Sequence, residues 1–172
     1  MMTETDKKSP SLYFTPDTCS LATLITCFDA GLEPNVIFVD FAISQQSAGN
    51  YVSINPKARV PALSIGADIL TETPAILAYL AQTHSDANLA PKDALGFAQV
   101  QSFNAYLCST LHVAHAHRMR GYRWVDGLEH EEAMRRKVPE AMTECYNYIE
   151  QHAFKGPFAF GEDYTISDPY LF

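Results

Sequence analysis

The chain has 172 residues, enough for one good core or two small ones and too few for a large multidomain machine. Its composition, 47% hydrophobic, 19% charged and 12% aromatic, excludes disordered and collagen-like chains. Twelve Lys and Arg against twenty Asp and Glu give a net charge of -8, which disfavours nucleic acid and anionic lipid as partners. The start, Met1 to Pro10, is polar with no apolar leader core, and no later apolar run reaches bilayer-spanning length, so no membrane targeting is expected. The four cysteines, Cys19, Cys27, Cys108 and Cys145, lack CxxC or zinc-ribbon spacing and read as reduced thiols of a cytoplasmic protein.

Ser11 to Phe14 predicts a short strand. Pro16 and Asp17 turn the chain, and Leu21, Leu24, Ile25 and Phe28 then repeat as the apolar stripe of a helix that Gly31 ends. Val36 to Val39 is a continuous, β-branched apolar run, which predicts a central strand covered on both faces. Phe41 to Ile54 is polar and ambiguous, and Asn55-Pro56 reads as a turn. Leu63 and Ile65, a Gly66-Ala67 turn, and Ile69-Leu70 predict a hairpin. Thr73 reads as a helix N-cap with Pro74 at the first helical position, before an apolar face of Ile76, Leu77 and Leu80. The first half is thus α/β, over 10–87, and a boundary falls at Asn88 to Pro91. The second half, 92–172, is all-helical. One long helix runs from Asp93 to about Arg118, and a second carries Met134, Val138, Met142, Cys145 and Ile149, with Pro139 expected to kink or end it. Thr165 to Asp168 has the form of a capping box. The helix it opens has hardly begun at Phe172, so further C-terminal sequence is expected.

Several residues could carry chemistry. Cys19 stands at the first turn of the first helix, where free N–H groups and the positive end of the dipole favour a thiolate; the competing reading is a small buried hydrophobe. Cys27, Cys108 and Cys145 read as packing residues. The local sequence favours a trans Val60-Pro61 bond. Glu72 and Thr73 could hold a zwitterionic amino-acid head group at a helix start, or simply cap it. His112 and His115 share a helix face that His117 does not, and without a third ligand no metal is expected. Arg118, Arg120 and Arg123 among Tyr122 and Trp124 could line an anion pocket or a solvated helix end.

Three segments in order, Leu12 to Ala22, Asn55 to Leu63, and Leu70 to Ile76, together with Leu111-His112 and Thr165 to Phe172, resemble the glutathione S-transferase family, particularly its bacterial beta-like members. The resemblance implies a thioredoxin-like N-terminal domain, an all-helical C-terminal domain that normally continues further, a homodimer, and a role in detoxification. It implies that Cys19 faces the glutathione sulfur and that Val60 and Pro61 form a cis-Pro corner holding the cysteinyl part. Glu72 and Thr73 would bind the γ-glutamyl head, and His112 would lie near the thiol. The implied glutathione set also includes Ser109. Ala105 departs from an Asn that reaches across the dimer in some members, with Asn104 beside it, and no lysine lies between Asp40 and Asn55 to supply a cation. Ala22 replaces the second cysteine of a dithiol motif, leaving a monothiol mechanism. The expected function is a glutathione-dependent transferase acting on an electrophile, or a monothiol disulfide reductase or peroxidase. The alternative is a non-catalytic member of the same fold that binds apolar ligands or a protein partner.

Overall fold

The computed structural model describes residues 9–172; the polar start read as lacking a leader lies, over 1–8, outside the described residues. The first half runs β1 (Ser11–Phe14), α1 (Ser20–Asp29), β2 (Asn35–Phe38), α2 (Gly49–Ile54), β3 (Ala62–Ile65), β4 (Asp68–Thr71) and α3 (Thr73–Thr83). The strands form one mixed sheet in the order β2-β1-β3-β4, with β2 parallel to β1 and the other pairs antiparallel. This is the thioredoxin-like arrangement. Alternation along β1 sends Leu12 to one face, where it is buried with Leu63, Cys27, Ile76 and Leu80, and Tyr13 to the other, against Val39, Tyr51 and Val60. The β3–β4 hairpin turns at Gly66, whose φ of +62° suits a glycine in a two-residue turn.

Two sequence expectations are corrected here. β2 is an edge strand, not a central one: among the described residues it pairs only with β1, and Val36 and Phe38 are 45% and 52% exposed. A short β-branched run reports a preference for extended backbone and says little about how many faces are covered. On α1, the buried face is Ser20, Ala22, Thr23, Thr26 and Cys27, while Phe28 of the expected stripe is exposed. α1 packs against α3, β1 and α7 at once, and small side chains permit that approach where Leu and Phe would not.

The second half is helical, as expected: α4 (Ala94–Tyr106), a π-helical turn over Leu107–Leu111, α5 (His112–Arg120), a 3-10 turn over Gly121–Arg123, α6 (Leu128–Tyr148), a second π turn over Ile149–Ala153, and α7 (Asp168–Leu171). Asp93 caps α4 by accepting the Gly96 N–H at 2.8 Å. Pro139 neither ends nor interrupts α6. The capping box forms: Asp168 Oδ2 accepts the Thr165 N–H at 2.7 Å, and Thr165 Oγ1 accepts the Ser167 N–H at 3.2 Å.

The halves share a core. Ala22, Leu77 and Ala81 from the first half pack with Val100 and Ile166 from the second around the connector residue Leu89. The Leu89 carbonyl accepts the Ile166 N–H at 2.9 Å. Burying a leucine contributes about 1.5–3 kcal/mol, so this seam fixes α1 and α3 relative to α4 and the segment that leads into α7. Asn104 is fully buried and accepts a hydrogen bond from Ser167 at 2.9 Å, so it points into the helical half and does not stand in for an outward-reaching Asn at Ala105.

Candidate active site

The loop entering β3 is pinned from beneath. Tyr51 Oη and Asn55 Nδ2 both donate to the Arg59 carbonyl, at 2.6 and 2.7 Å, and Asn55 Oδ1 accepts the Lys57 N–H at 3.2 Å. One carbonyl thereby uses both acceptor sites, and the next residue, Val60, is held at the lip of a cleft. The Val60–Pro61 peptide is cis, against the local expectation of trans and in accord with the resemblance. The Val60 carbonyl accepts the Cys19 thiol at 3.5 Å.

The β4–α3 corner supplies the second wall. Glu72 sits at φ 75° and ψ 119°, a left-handed backbone uncommon outside glycine. Its carboxylate pairs with Lys57 Nζ at 2.5 Å, and that ammonium also donates to Thr71 Oγ1 at 2.7 Å. A cation is thus present just after the segment 40–55 that lacks lysine. The N-cap of α3 is Glu72, not Thr73, and no side chain caps the helix. Thr73 is buried, and with Pro74 lacking an N–H the helix start offers its few backbone donors and the Thr73 hydroxyl to the cleft. Ordinary capping by Thr73 is therefore not what this corner does.

Cys19 forms the N-cap of α1. Burial pushes its thiol above the ordinary value of 9.0, outweighing a hydrogen bond from Thr73 and the charge of Arg120, which pull the other way. The expectation of a thiolate favoured by the helix start is corrected: desolvation is the larger effect, and Cys19 is a neutral S–H donor at neutral pH. His112 is held below 6.5, first by burial and then by the charges of Arg120, His115 and Arg59, so its imidazole is neutral and can accept a proton.

Cys19, Val60, Pro61, Glu72, Thr73 and His112 line one cleft of about 130 Å³ between the two halves. Ser109 is exposed and does not line it. Cys108, read as packing, is half-buried and faces the cleft, carried there by the π turn that precedes His112, whereas Cys27 and Cys145 are buried. Arg120 and Arg123 line the cleft with Arg59, while Arg118 lies outside it. His115 borders an adjoining hollow of about 200 Å³, which shares Cys19 and His112 with the cleft and is otherwise walled largely by apolar side chains such as Leu111, Met142 and Leu171. His117 packs edge-on against Trp124 at 4.5 Å. Among the described residues no group of three or more side chains is arranged to hold a metal. Sequence reasoning missed Asn55, Arg59 and Cys108; the Asn-Pro turn signalled the first, and nothing local signalled the others. A polar, arginine-lined cleft joined to an apolar hollow at a thiol and an imidazole can hold a zwitterionic peptide beside an apolar reactant.

The family model for the glutathione S-transferase N-terminal domain matches residues 11–82. A glutathione transferase homologue from Sulfitobacter, solved with bound glutathione, is 46% identical and superposes with a TM-score of 0.93 over 95% of this chain and 79% of its own. The bacterial beta class glutathione S-transferase of Sphingomonas chungbukensis is 27% identical, with a TM-score of 0.78 over 94% and 78% of the two chains. Glutathione S-transferase GstA of Escherichia coli O157:H7 is 28% identical over 164 residues, 94% of this chain and 78% of that protein. The chain belongs to the glutathione S-transferase family. Among the described residues no helix is long and apolar enough to cross a membrane.

Proposed function

We propose that the protein is a glutathione-dependent transferase that binds the reduced tripeptide in the cleft and directs its sulfur at an electrophile that reacts beside Cys19 and His112, where the cleft meets the adjoining hollow. The observation that carries this reading is the convergence of Cys19, Val60, Glu72, Thr73 and His112 on one cleft, in a chain 46% identical to a neighbour solved with glutathione. Glu72 would take the ammonium of the γ-glutamyl head, and the start of α3 its carboxylate. The Val60 backbone would run beside the cysteinyl unit. Neutral His112 would accept the glutathione thiol proton, and the Cys19 S–H would donate to the resulting thiolate, which attacks the electrophilic carbon and expels its leaving group.

A second reading, monothiol exchange, is favoured by the position of the Cys19 sulfur in the cleft wall. With its proton passed to His112, the Cys19 sulfur would attack the glutathione sulfur of a glutathione-containing disulfide, forming a mixed disulfide and releasing the other thiolate; a second glutathione thiolate would then release Cys19 and leave oxidised glutathione. The two reactions separate in one variant. Cys19→Ala abolishes disulfide exchange and keeps conjugation at about a tenth of the wild-type rate, the contribution of one hydrogen bond to a charged sulfur. Unchanged disulfide exchange defeats the covalent role, and unchanged rates of both reactions defeat any role for Cys19.

The same proposal extends to a homodimer and a cytoplasmic location in detoxification. The second is supported by four free thiols, which a reducing compartment maintains. Sedimentation at two concentrations tests the first.

A further inference from the structure

In an acidic chain of net charge -8, three guanidinium groups, those of Arg59, Arg120 and Arg123, line a single cleft. The one carboxylate among the lining residues, Glu72, is neutralised by Lys57. The ion pairs among the described residues are Lys57 with Glu72, Glu129 with His130, Arg135 with Glu132 and Lys137 with Glu140, so none of the three arginines has an acidic partner among them. Arg120 is half-buried, with its Cζ 5.9 Å from the centre of the Phe41 ring, and the exposed Arg123, its Cζ 5.9 Å from the centre of the Tyr122 ring, lines the same cleft as Trp124. Burial and the neighbouring charges of Arg123 and Arg59 both work against the Arg120 cation. Like charges gathered without counter-charge are unfavourable in the free protein and become favourable when an anion arrives, which is how a preformed anion site is built.

Glutathione, if bound as proposed above, does not use all of this charge. It has two carboxylates. One belongs to the γ-glutamyl head and goes to the start of α3. The other, on the glycine, is one residue from the cysteinyl unit and is assigned to Arg59, the residue before Val60 on the cleft wall. Arg120 and Arg123 then remain, and both line the cleft that Cys19 and His112 also line.

We propose that Arg120 and Arg123, with the faces of Phe41 and Trp124, form a subsite for a carboxylate borne by the second substrate, so that the preferred electrophiles are aromatic or unsaturated carboxylic acids rather than neutral arenes. This inference rests on the glutathione reading and is tested separately from it. Calorimetry with reduced glutathione comes first. Rates are then measured for 1-chloro-2,4-dinitrobenzene and 4-chloro-3-nitrobenzoate, each of which forms a carbon–sulfur bond with the glutathione thiolate and loses chloride. Each kcat/KM is divided by the uncatalysed rate constant. The carboxylate substrate is expected to show the larger enhancement by about tenfold, the discrimination one charged hydrogen bond provides. In Arg123→Gln the ratio of the two falls to near unity, mainly through KM for the nitrobenzoate, and Arg123→Lys restores part of it. Benzoate binding to the glutathione-loaded protein, with benzamide as the neutral control, gives the same comparison without turnover. Glutathione binding with equal enhancements, or a ratio unchanged in Arg123→Gln and Arg120→Gln, overturns the subsite alone. No glutathione binding overturns both readings.

Discussion

Cys19 and His112 occupy the same cleft with their proton affinities displaced in opposite directions from what a reactive thiolate pair would need. Burial raises the thiol above 9.0 and lowers the imidazole below 6.5, so near pH 7 both are neutral. The sign follows directly: raising the pH toward neutrality does not ionise Cys19, and only passage through its raised value does. Alkylation of Cys19 by iodoacetamide, followed by peptide mass spectrometry to separate it from Cys108, is expected to accelerate with a midpoint above pH 9.0; a midpoint near 7 contradicts the assignment. For His112 the unfolded chain takes up a proton at 6.5 before the folded one does, so folding stability declines as the pH falls below 6.5. His112→Asn is expected to lose part of that decline in thermal melts at pH 5 to 7. The Lys57–Glu72 pair is about half exposed on both sides, and such pairs contribute about 0–1 kcal/mol. Lys57→Ala should therefore leave the melting temperature nearly unchanged. A large fall would mean that the pair holds the corner together.

The loop from α2 to β3 shows how an element with little apolar content is made rigid. Tyr51 and Asn55 converge on the part-buried Arg59 carbonyl, and Asn55 is 1% exposed, so removing its amide takes away one of that carbonyl's two donors and the acceptor of the Lys57 N–H. Asn55→Ala is expected to cost about 1–3 kcal/mol in denaturant unfolding and to weaken ligand binding through Val60. A loss in stability with unaltered binding would disconnect the loop from the site. Near the end of the sequence the Thr165–Asp168 box fixes the start of α7, and Asp168 also accepts the Ala159 N–H at 2.7 Å. The box was readable because both its bonds lie within four residues. The hairpin at Gly66-Ala67 and the helical periodicities of α4 and α6 were readable for the same reason. The buried face of α1 and the edge position of β2 were not, because each depends on what another part of the chain covers, and hydrophobicity along one segment carries no record of that. Cys108 illustrates the limit at the site: its orientation follows from a π turn in a helix whose sequence reads as regular.

Across the whole molecule, the shared core of Ala22, Leu77, Leu89, Val100 and Ile166 converts two modest domains into one frame around a cleft. Leu77 is fully buried in that seam, and Leu77→Ala is expected to lose about 2–5 kcal/mol, with unfolding of the two halves remaining a single transition. Two separated transitions in the wild-type protein would show that the halves do not fold as a unit. The site could be assembled from sequence only because the three segments carrying the family resemblance contain Cys19, Val60, Pro61, Glu72 and Thr73 in order. Of the cleft arginines Arg59 lies in the second of these segments, but Arg120 and Arg123 belong to none, and the convergence of the three becomes visible only when α5 and the 3-10 turn after it are folded against the loop before β3. The most direct test of the account is a calorimetric titration of the purified protein with reduced glutathione, repeated on Glu72→Gln. Saturable heat at one site per chain, with affinity reduced about tenfold or more in the variant, is the expected result, since a charged hydrogen bond to the γ-glutamyl ammonium is lost. No heat from the wild-type protein, or equal affinity in the variant, would contradict a glutathione site built on this corner.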